Sequence, residues 1–264
     1  LKPDSNVEYA EPNYIVKMQS AGQDGAALSM SAYRDLRAQE AAQAAPSNHA
    51  SSASYGQSNA PVQIEEAWGA MSGSSTHVPI VAIIDSGVDY NHEVFVGANA
   101  IWTNTGEIAG NGVDDDGNGY IDDVRGWDFY NNDNNPMDDN DHGTHVAGIV
   151  LGVTQDIAAV SLSPAVIKIM PLKFLGSSGS GATSDAIEAI YYAINNGASV
   201  INASWGGGGY SSALVAAITD AYNAQVSFVA AAGNSHLNND SSPTYPANYD
   251  VQNVISVAAT TDYD

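Results

Sequence analysis

The sequence predicts an α/β fold in which helices cover both faces of a doubly wound, mostly parallel sheet. Three observations carry this reading. Near-continuous apolar runs at 78–84, 166–170, 200–203, 226–232 and 254–259 read as strands buried on both faces. Helical stretches lie between several of them, the alternation that a parallel sheet requires. Asp85, Ser204 and the pair Gly233-Asn234 stand at or just past the ends of three of the runs, where such sheets place their sites.

In chain order, residues 7–16 read as a short extended segment that Pro12 confines to an edge or a strand end. Ala, Ser, Gln and Asn then dominate 18–60. Within it, 29–45 has the pattern of a weak helix without a broad apolar stripe, and 46–61 has the composition of a flexible linker. A boundary near residue 59 divides the chain into a tail (1–17), a linker (18–58) and a folded domain (59–264). Inside the domain, 183–195 places Ile187, Ile190, Tyr191 and Ile194 at helical spacing behind the capping candidates Thr183 and Ser184, and ends at Asn196-Gly197. The stretch 211–224 places Leu214, Ala217, Ile218 and Ala221 on one face.

Composition narrows the function. A chain of 264 residues with 44% hydrophobic residues can bury a sizeable core. Its net charge of −23 argues against nucleic acid and anionic membrane surfaces as partners and favours bound cations. No apolar run is long enough to span a membrane. The absence of cysteine excludes disulfides and thiolate metal sites. A polar start from Lys2 to Asn6 shows no signal peptide within this chain, although the Lys-poor, Cys-free composition suits a secreted bacterial enzyme.

The stretch Asp141-His142-Gly143-Thr144-His145-Val146-Ala147-Gly148 marks the passage from an acidic, Asn-rich loop into a helix. His142 stands at that boundary, where an imidazole can face a cleft and move protons near neutral pH. Gly143, Ala147 and Gly148 allow the helix to pack closely on a neighbour.

Asp85-Ser86-Gly87 after a buried strand and His142-Gly143-Thr144-His145-Val146-Ala147-Gly148 at a helix start, together with Asn202-Ala203-Ser204-Trp205-Gly206-Gly207 and Ala230-Ala231-Ala232-Gly233-Asn234, resemble the subtilisin-like serine proteases in both motif and order. The resemblance covers about residues 60–264, and 7–16 resembles the last strand of that family's inhibitory propeptide. It implies a serine endopeptidase acting on polypeptide substrates, inhibited by its own propeptide. Asp85 would then orient His142, His142 would be the general base and acid, and Asn234 would donate to the oxyanion. The segments Ser178-Gly179-Ser180-Gly181 and Ser204-Trp205-Gly206 resemble the two edges that accept the substrate backbone as an added strand, with Gly233 beside the oxyanion donor. Trp205 adds an apolar wall to that groove.

The family's nucleophile motif, Gly-Thr-Ser-Met/Ala, does not occur before Asp264. Ser204 is the best-placed substitute, but Asn202 stands where a G-x-S-x-G elbow needs glycine. The reading is therefore a domain whose C-terminal part, with the serine, lies beyond this chain; alone, this piece is expected to be inactive. The rival readings are a non-catalytic fold of the same type and a calcium-stabilised binding scaffold.

Between Asp85 and His142 lies an acidic insertion. Ten aspartates fall within 114–141, with Arg125 as the lone positive charge. Asp114-Asp115-Asp116-Gly117-Asn118-Gly119-Tyr120-Ile121-Asp122 matches the first nine positions of an EF-hand calcium loop. Asp114, Asp116 and Asn118 would supply side-chain oxygens, Tyr120 its carbonyl, and Asp122 a direct or water-mediated contact to Ca2+. Arg125 stands where a bidentate Glu is expected, so Asp123 or a carboxylate from elsewhere must complete the shell. A different calcium site common in the family is expected to be absent, since His92-Glu93-Val94-Phe95 and the segment 152–164 depart from its pattern.

Overall fold

The computed structural model describes residues 11–19, 78–161, 167–235 and 237–259, with side chains of 153–161 outside that description. The weak helix expected at 29–45, the linker and residues 7–10 of the tail lie outside the described residues. Six strands form the main sheet: β2 (Ile80–Asp85), β3 (Trp127–Asp128), β4 (Lys168–Lys173), β6 (Val200–Ala203), β8 (Ser227–Ala231) and β9 (Val254–Val257). Their order is β3-β4-β2-β6-β8-β9, and every pairing is parallel. A smaller antiparallel sheet sets β1 (Ile15–Met18) between β5 (Ser180–Ala182) and β7 (Trp205–Gly206).

Each sheet face has its own core, and β2 shows why. Its alternate residues Ala82 and Ile84 enter one core, together with Met170, Leu172, Ile201, Phe228 and the inner faces of α3 (Thr183–Asn195) and α4 (Ser212–Asn223). Val81 and Ile83 enter the other, with Ile169, Phe95 of α1 (Glu93–Ala98), and Ala147 and Leu151 of α2 (His142–Ser161). Period-2 alternation with apolar residues at both phases demands helices on both sides, which is the doubly wound arrangement.

Two local readings change. In α4 the expected stripe of Leu214, Ala217, Ile218 and Ala221 is the buried one. In α3 Ile190 is buried and Ile187 and Ile194 pack partly buried against the core, joined by the buried Ala186, Ala189, Tyr192 and Ala193, whereas Tyr191 is exposed. Alanines let that helix lie close to the sheet, and bulk alone misplaces one residue, taking Tyr191 for the buried tyrosine in place of Tyr192. Nor do Thr183 and Ser184 cap α3: its N-cap position is Ala182, which has no side-chain cap. His92 caps α1, its Nδ1 accepting from the Val94 amide.

Candidate active site

β2 lies between β4 and β6, so Asp85 emerges in the interior of the sheet at its carboxyl edge, fully buried. The Ser86 amide donates to Asp85 Oδ1 at 2.7 Å. His142 opens α2, and its Nδ1 lies 2.7 Å from the same Oδ1. Burial alone would depress the imidazole, but the hydrogen bond and charge of Asp85, aided by the Gln19 carbonyl and Asp138, raise its pKa above the ordinary value.

Side chains that the motif reading passed over hold this pair. The Ser86 hydroxyl accepts from the Gly143 amide at 3.0 Å and donates to Asp138 at 2.8 Å, tying the end of β2 to the start of α2. Asp138 also accepts from the Thr144 amide and hydroxyl and from the amides of Asn140 and Asp141, capping the start of α2. The buried Lys173 ammonium donates to the carbonyls of Ser86 and Leu175 and to Asp139. An acidic residue one turn ahead of His142 was a legible capping signal; Lys173 sits inside a strand and gives none. Gly143 is required sterically, because a Cβ there would meet the Gly87 carbonyl oxygen at 2.1 Å. Gly148, by contrast, has nothing within 4 Å of such a Cβ, and His145 is exposed.

The two edges singled out as peptide-binding, 178–181 and 204–206, are brought together on either side of β1. Val16 pairs with Gly181, Lys17 with Ser180 and Gly206, and Met18 with Trp205. The pairing runs past the expected tail boundary at 17: the Met18 amide donates to the Gly179 carbonyl at 3.0 Å and the Gln19 amide to the Ser204 carbonyl at 2.8 Å. Gln19 then places its own carbonyl oxygen 3.2 Å from His142 Nε2. Both ring nitrogens of His142 thus face oxygen acceptors, an arrangement in which the protonated ring would donate twice. Gly179 leaves room for Met18, whose sulfur lies 2.8 Å from where a Cβ would stand. Trp205 is not a groove wall but a fully buried side chain, edge-to-face with Phe174. Ser204 offers the strand its carbonyl, while its hydroxyl accepts from the Asn202 side chain.

The segment before β1 reaches two helix starts. Asn13 accepts from the Ser184 amide at 2.9 Å, and the Tyr14 carbonyl accepts from the Thr183 amide and hydroxyl. The Glu11 carboxylate accepts from the amides of Ser212 and Ala213 and from the hydroxyls of Ser211 and Ser212. Slight burial raises its pKa, but these donors outweigh that and hold it below the usual carboxylate value. Residues 170 to 200 positions away thus cap α3 and α4, where unpaired amides favour acceptors and negative charge.

Asn234 lies exposed three residues past β8, on the side of the sheet where β2 and β6 end. Gly233 before it has φ +106°, a turn open to glycine.

In the acidic insertion, carboxylate oxygens of Glu107, Asp114 and Asp116 lie within 4.8 Å of one another. Asp114 accepts from the amides of Gly119, Gly117 and Asn118, which hold its pKa below the usual carboxylate value. Asp116 accepts from the Asn118 amide at 3.0 Å and from its side chain. Asp122 lies apart in function: its two oxygens accept from the amides of Gly110, Asn111 and Gly112. Tyr120 turns its ring into an aromatic cluster with Trp127, Phe129 and Tyr192. Asp123, considered as a spare ligand, is fully buried and accepts from Tyr192, Asn104 and Asn118. Glu107, seven residues before the loop, carries no motif and was missed.

A parallel α/β domain with a buried Asp–His pair at its carboxyl edge and an added strand seated between two short edges beside it defines the class of fold. The chain belongs to the subtilase family, whose Peptidase S8 profile matches residues 76–264. It is 34% identical over 259 residues to the thermophilic serine proteinase of Bacillus sp. (strain AK1), covering 98% of this chain and 50% of that protein. Thermitase of Thermoactinomyces vulgaris is 35% identical over 203 residues, 77% of this chain and 61% of that protein. The crystal structure of a cold adapted subtilisin-like serine proteinase matches with a TM-score of 0.50 at 31% identity, over 72% of this chain and 59% of that one. This chain therefore spans about half to three-fifths of the length of these relatives. Among the described residues no helix is long and apolar enough to cross a membrane.

Proposed function

We propose that the full-length protein is a secreted serine endopeptidase using an Asp85–His142–Ser triad, with the serine beyond residue 264. The observation that carries this is the 2.7 Å Asp85–His142 contact whose far ring nitrogen faces a main-chain carbonyl held in an edge-strand groove. In the proposed cycle the serine oxygen attacks the scissile carbonyl while neutral His142 takes its proton. Asp85 holds the ring with Nδ1 protonated and stabilises the imidazolium. Asn234 donates its side-chain amide to the oxyanion; removing one such donor costs about 2.7–4 kcal/mol, a magnitude known from this family rather than obtained from the present geometry. His142 returns the proton to the leaving amine, and water releases the acyl group by the same steps. Gly179, Ser180 and Gly181 on one side and Ser204, Trp205 and Gly206 on the other bind substrate backbone, with Gly233 admitting the carbonyl near Asn234.

The sheet edge supports a continuation of the domain. Ile255 and Val257 of β9 are 52% and 50% exposed, apolar area that further chain would cover. The tail at 1–17 acts in this reading as the protein's own inhibitor.

Calcium belongs to the proposal as a structural ion. The donor set fits it: Glu107, Asp114 and Asp116 converge as hard oxygen ligands in a region without cysteine, and Asn118 adjoins Asp116. The Tyr120 carbonyl would add a main-chain oxygen. Asp122 would serve the loop turn at 110–112 rather than the ion. A bound cation would offset the mutual repulsion of these carboxylates and takes no part in the chemistry. Calcium in hundredfold excess over its Kd is expected to stabilise the full-length protein by about 2.7 kcal/mol, and Glu107→Gln to remove most of that gain in thermal melts.

The deciding experiment is fluorophosphonate labelling of the full-length protein and its His142→Ala variant. Label that depends on His142 supports the triad. Folded protein that takes no label overturns it.

A further inference from the structure

We propose that Lys173 is a positioning residue of the Asp85–His142 site: its buried ammonium fixes the three segments that make the site and stands as counter-charge to the carboxylates around the imidazole. The inference rests on the protease reading above and deepens it from the reacting groups to the residue that aims them.

Register puts Lys173 in the middle of a charged row. It ends β4, opposite Asp85 of β2 on one side and Asp128 of β3 on the other. Residues at one register position of a parallel sheet point to the same face. Ala82, Ile84, Met170 and Leu172 enter the core beneath α3 and α4, so Asp85 and Lys173, each one residue further on, turn to the face that α2 covers. All three members of the row are buried. The strand pattern asks for an apolar residue at the end of β4, and an ammonium is costly to bury unless each of its protons finds an acceptor. Here all three protons do.

Those acceptors belong to three different parts of the site. The Ser86 carbonyl, at 2.8 Å, lies in the turn that follows Asp85. The Leu175 carbonyl, also at 2.8 Å, opens the segment leading to the edge at 178–181. The Asp139 carboxylate, at 2.6 Å, stands three residues before His142. The amides of Phe174 and Leu175 donate to the Asp85 carbonyl, so the exits of β2 and β4 are joined from both sides. Gly87 follows the carbonyl that Lys173 holds, and its own oxygen is the atom on which Gly143 packs beside His142. A rotation of the Ser86–Gly87 peptide therefore moves the surface on which the start of α2 rests. A displacement of about 1 Å in such a frame costs on the order of a hundred-fold in rate.

The charge acts separately. Burial lowers the basicity of His142, and the charged groups that face it, Asp85 and Asp138, raise it together with the Gln19 carbonyl. The charged groups that face Lys173 are Asp85, Asp128 and Asp139. Burial raises the pKa of Asp128, while Asn131 and the Lys173 ammonium act against that rise. Without the ammonium these carboxylates stand uncompensated and His142 becomes more basic. Without Asp139 the ammonium stands uncompensated and His142 becomes less basic.

The test measures kcat, KM and the pH profile of the full-length protein on a peptide amide, for Lys173→Met and Asp139→Asn, with folding checked by circular dichroism and melting. Lys173→Met is expected to lower kcat at least about ten-fold and to move the acid limb of kcat to higher pH. Asp139 is half-exposed, and Asp139→Asn is expected to lower kcat less than about five-fold and to move the acid limb to lower pH. A merely structural role would loosen the site without driving the two limbs apart. A folded Lys173→Met protein with the kcat and acid limb of the unaltered protein overturns the inference. Where Lys173→Met does not fold, Asp139→Asn decides, and an acid limb that stays in place or moves to higher pH overturns it. Failure of these shifts in a protein that labels and hydrolyses removes this inference and leaves the protease standing. An unaltered full-length protein that neither takes fluorophosphonate label nor hydrolyses peptides removes both.

Discussion

The Asp85–His142 corner and the acidic insertion are built on opposite plans. At the corner, Asp85 and His142 are 57 residues apart and meet only because β2 and α2 converge, with Ser86 and Asp138 tying them together. In the insertion, carboxylates take amides of the same stretch: Asp114 takes those of 117, 118 and 119, Asp116 that of 118, Asp122 those of 110, 111 and 112, and Glu107 those of 115, 116 and 122. The corner is a tertiary object made from rigid element ends. The insertion is a set of turns fastened to the core by the Tyr120 ring, the buried Asp123, and Trp127 and Phe129 around the short strand β3. One consequence is that the corner tolerates almost no change in shape, whereas the insertion depends on a small number of anchors.

Breaking the corner chemically has the largest expected effect. Asp85→Asn in the full-length protein preserves size but lets the ring settle in the wrong tautomer, and kcat is expected to fall about 10^4-fold with folding unchanged by circular dichroism. A loss below ten-fold would mean the pair is structural. The matching break in the insertion is Asp123→Ala, which strips Tyr192, Asn104 and Asn118 of a shared buried acceptor. It is expected to cost about 3 kcal/mol of stability in denaturant unfolding. The Tyr192 hydroxyl, which burial and the Asp123 carboxylate together keep protonated, would be left without that partner.

A smaller intrusion sharpens the contrast. Gly143→Ala forces a Cβ against the Gly87 carbonyl, and about 2 kcal/mol of destabilisation with displaced His142 is expected. Gly117→Ala, in the insertion, meets open space but a φ of +74°, so only its backbone preference is offended and about 1 kcal/mol is expected from the same melts. Similar costs at the two glycines would contradict the contrast.

The smallest effect is on pH. His142 has a folded pKa above its ordinary value, so its protonated form contributes stability below that ordinary value and the contribution is lost as pH rises through the folded one. The imidazolium is also the form that donates to the Gln19 carbonyl. The N-terminal segment is therefore expected to bind more tightly in mild acid and to loosen as His142 deprotonates. Titration of peptide 11–19 against the mature protein from pH 5 to 9 measures this. Affinity independent of pH would show that the carbonyl contact is not made by the charged ring.

Much of the fold was legible because its signals are local. Each apolar run became a strand within a few residues of its expected place, since strands buried on both sides must be apolar throughout. The stripe of α4 could be read for the same reason. The stripe of α3 was legible only in its isoleucines, because alanines bury as completely as isoleucines when a helix lies close to a sheet and Tyr192 rather than Tyr191 turns inward. Glu107 escaped because its partners lie seven to fifteen residues onward, outside any motif.

By itself the sequence determined the five long apolar strands, the starts of α2, α3 and α4, the Asp85 and His142 motifs and the sharp turn at Gly119. These depend on neighbours within about five residues, and periodicity and side-chain reach encode them directly. Only the tertiary structure decided that Lys173 supports the Ser86 carbonyl, that Glu11 and Asn13 cap helices far along the chain, and that Gln19 is the residue held at His142. Those facts rest on strand order and register, where one residue of slip exchanges buried for exposed side chains, and a motif read in isolation carries no record of which distant segment lies beside it.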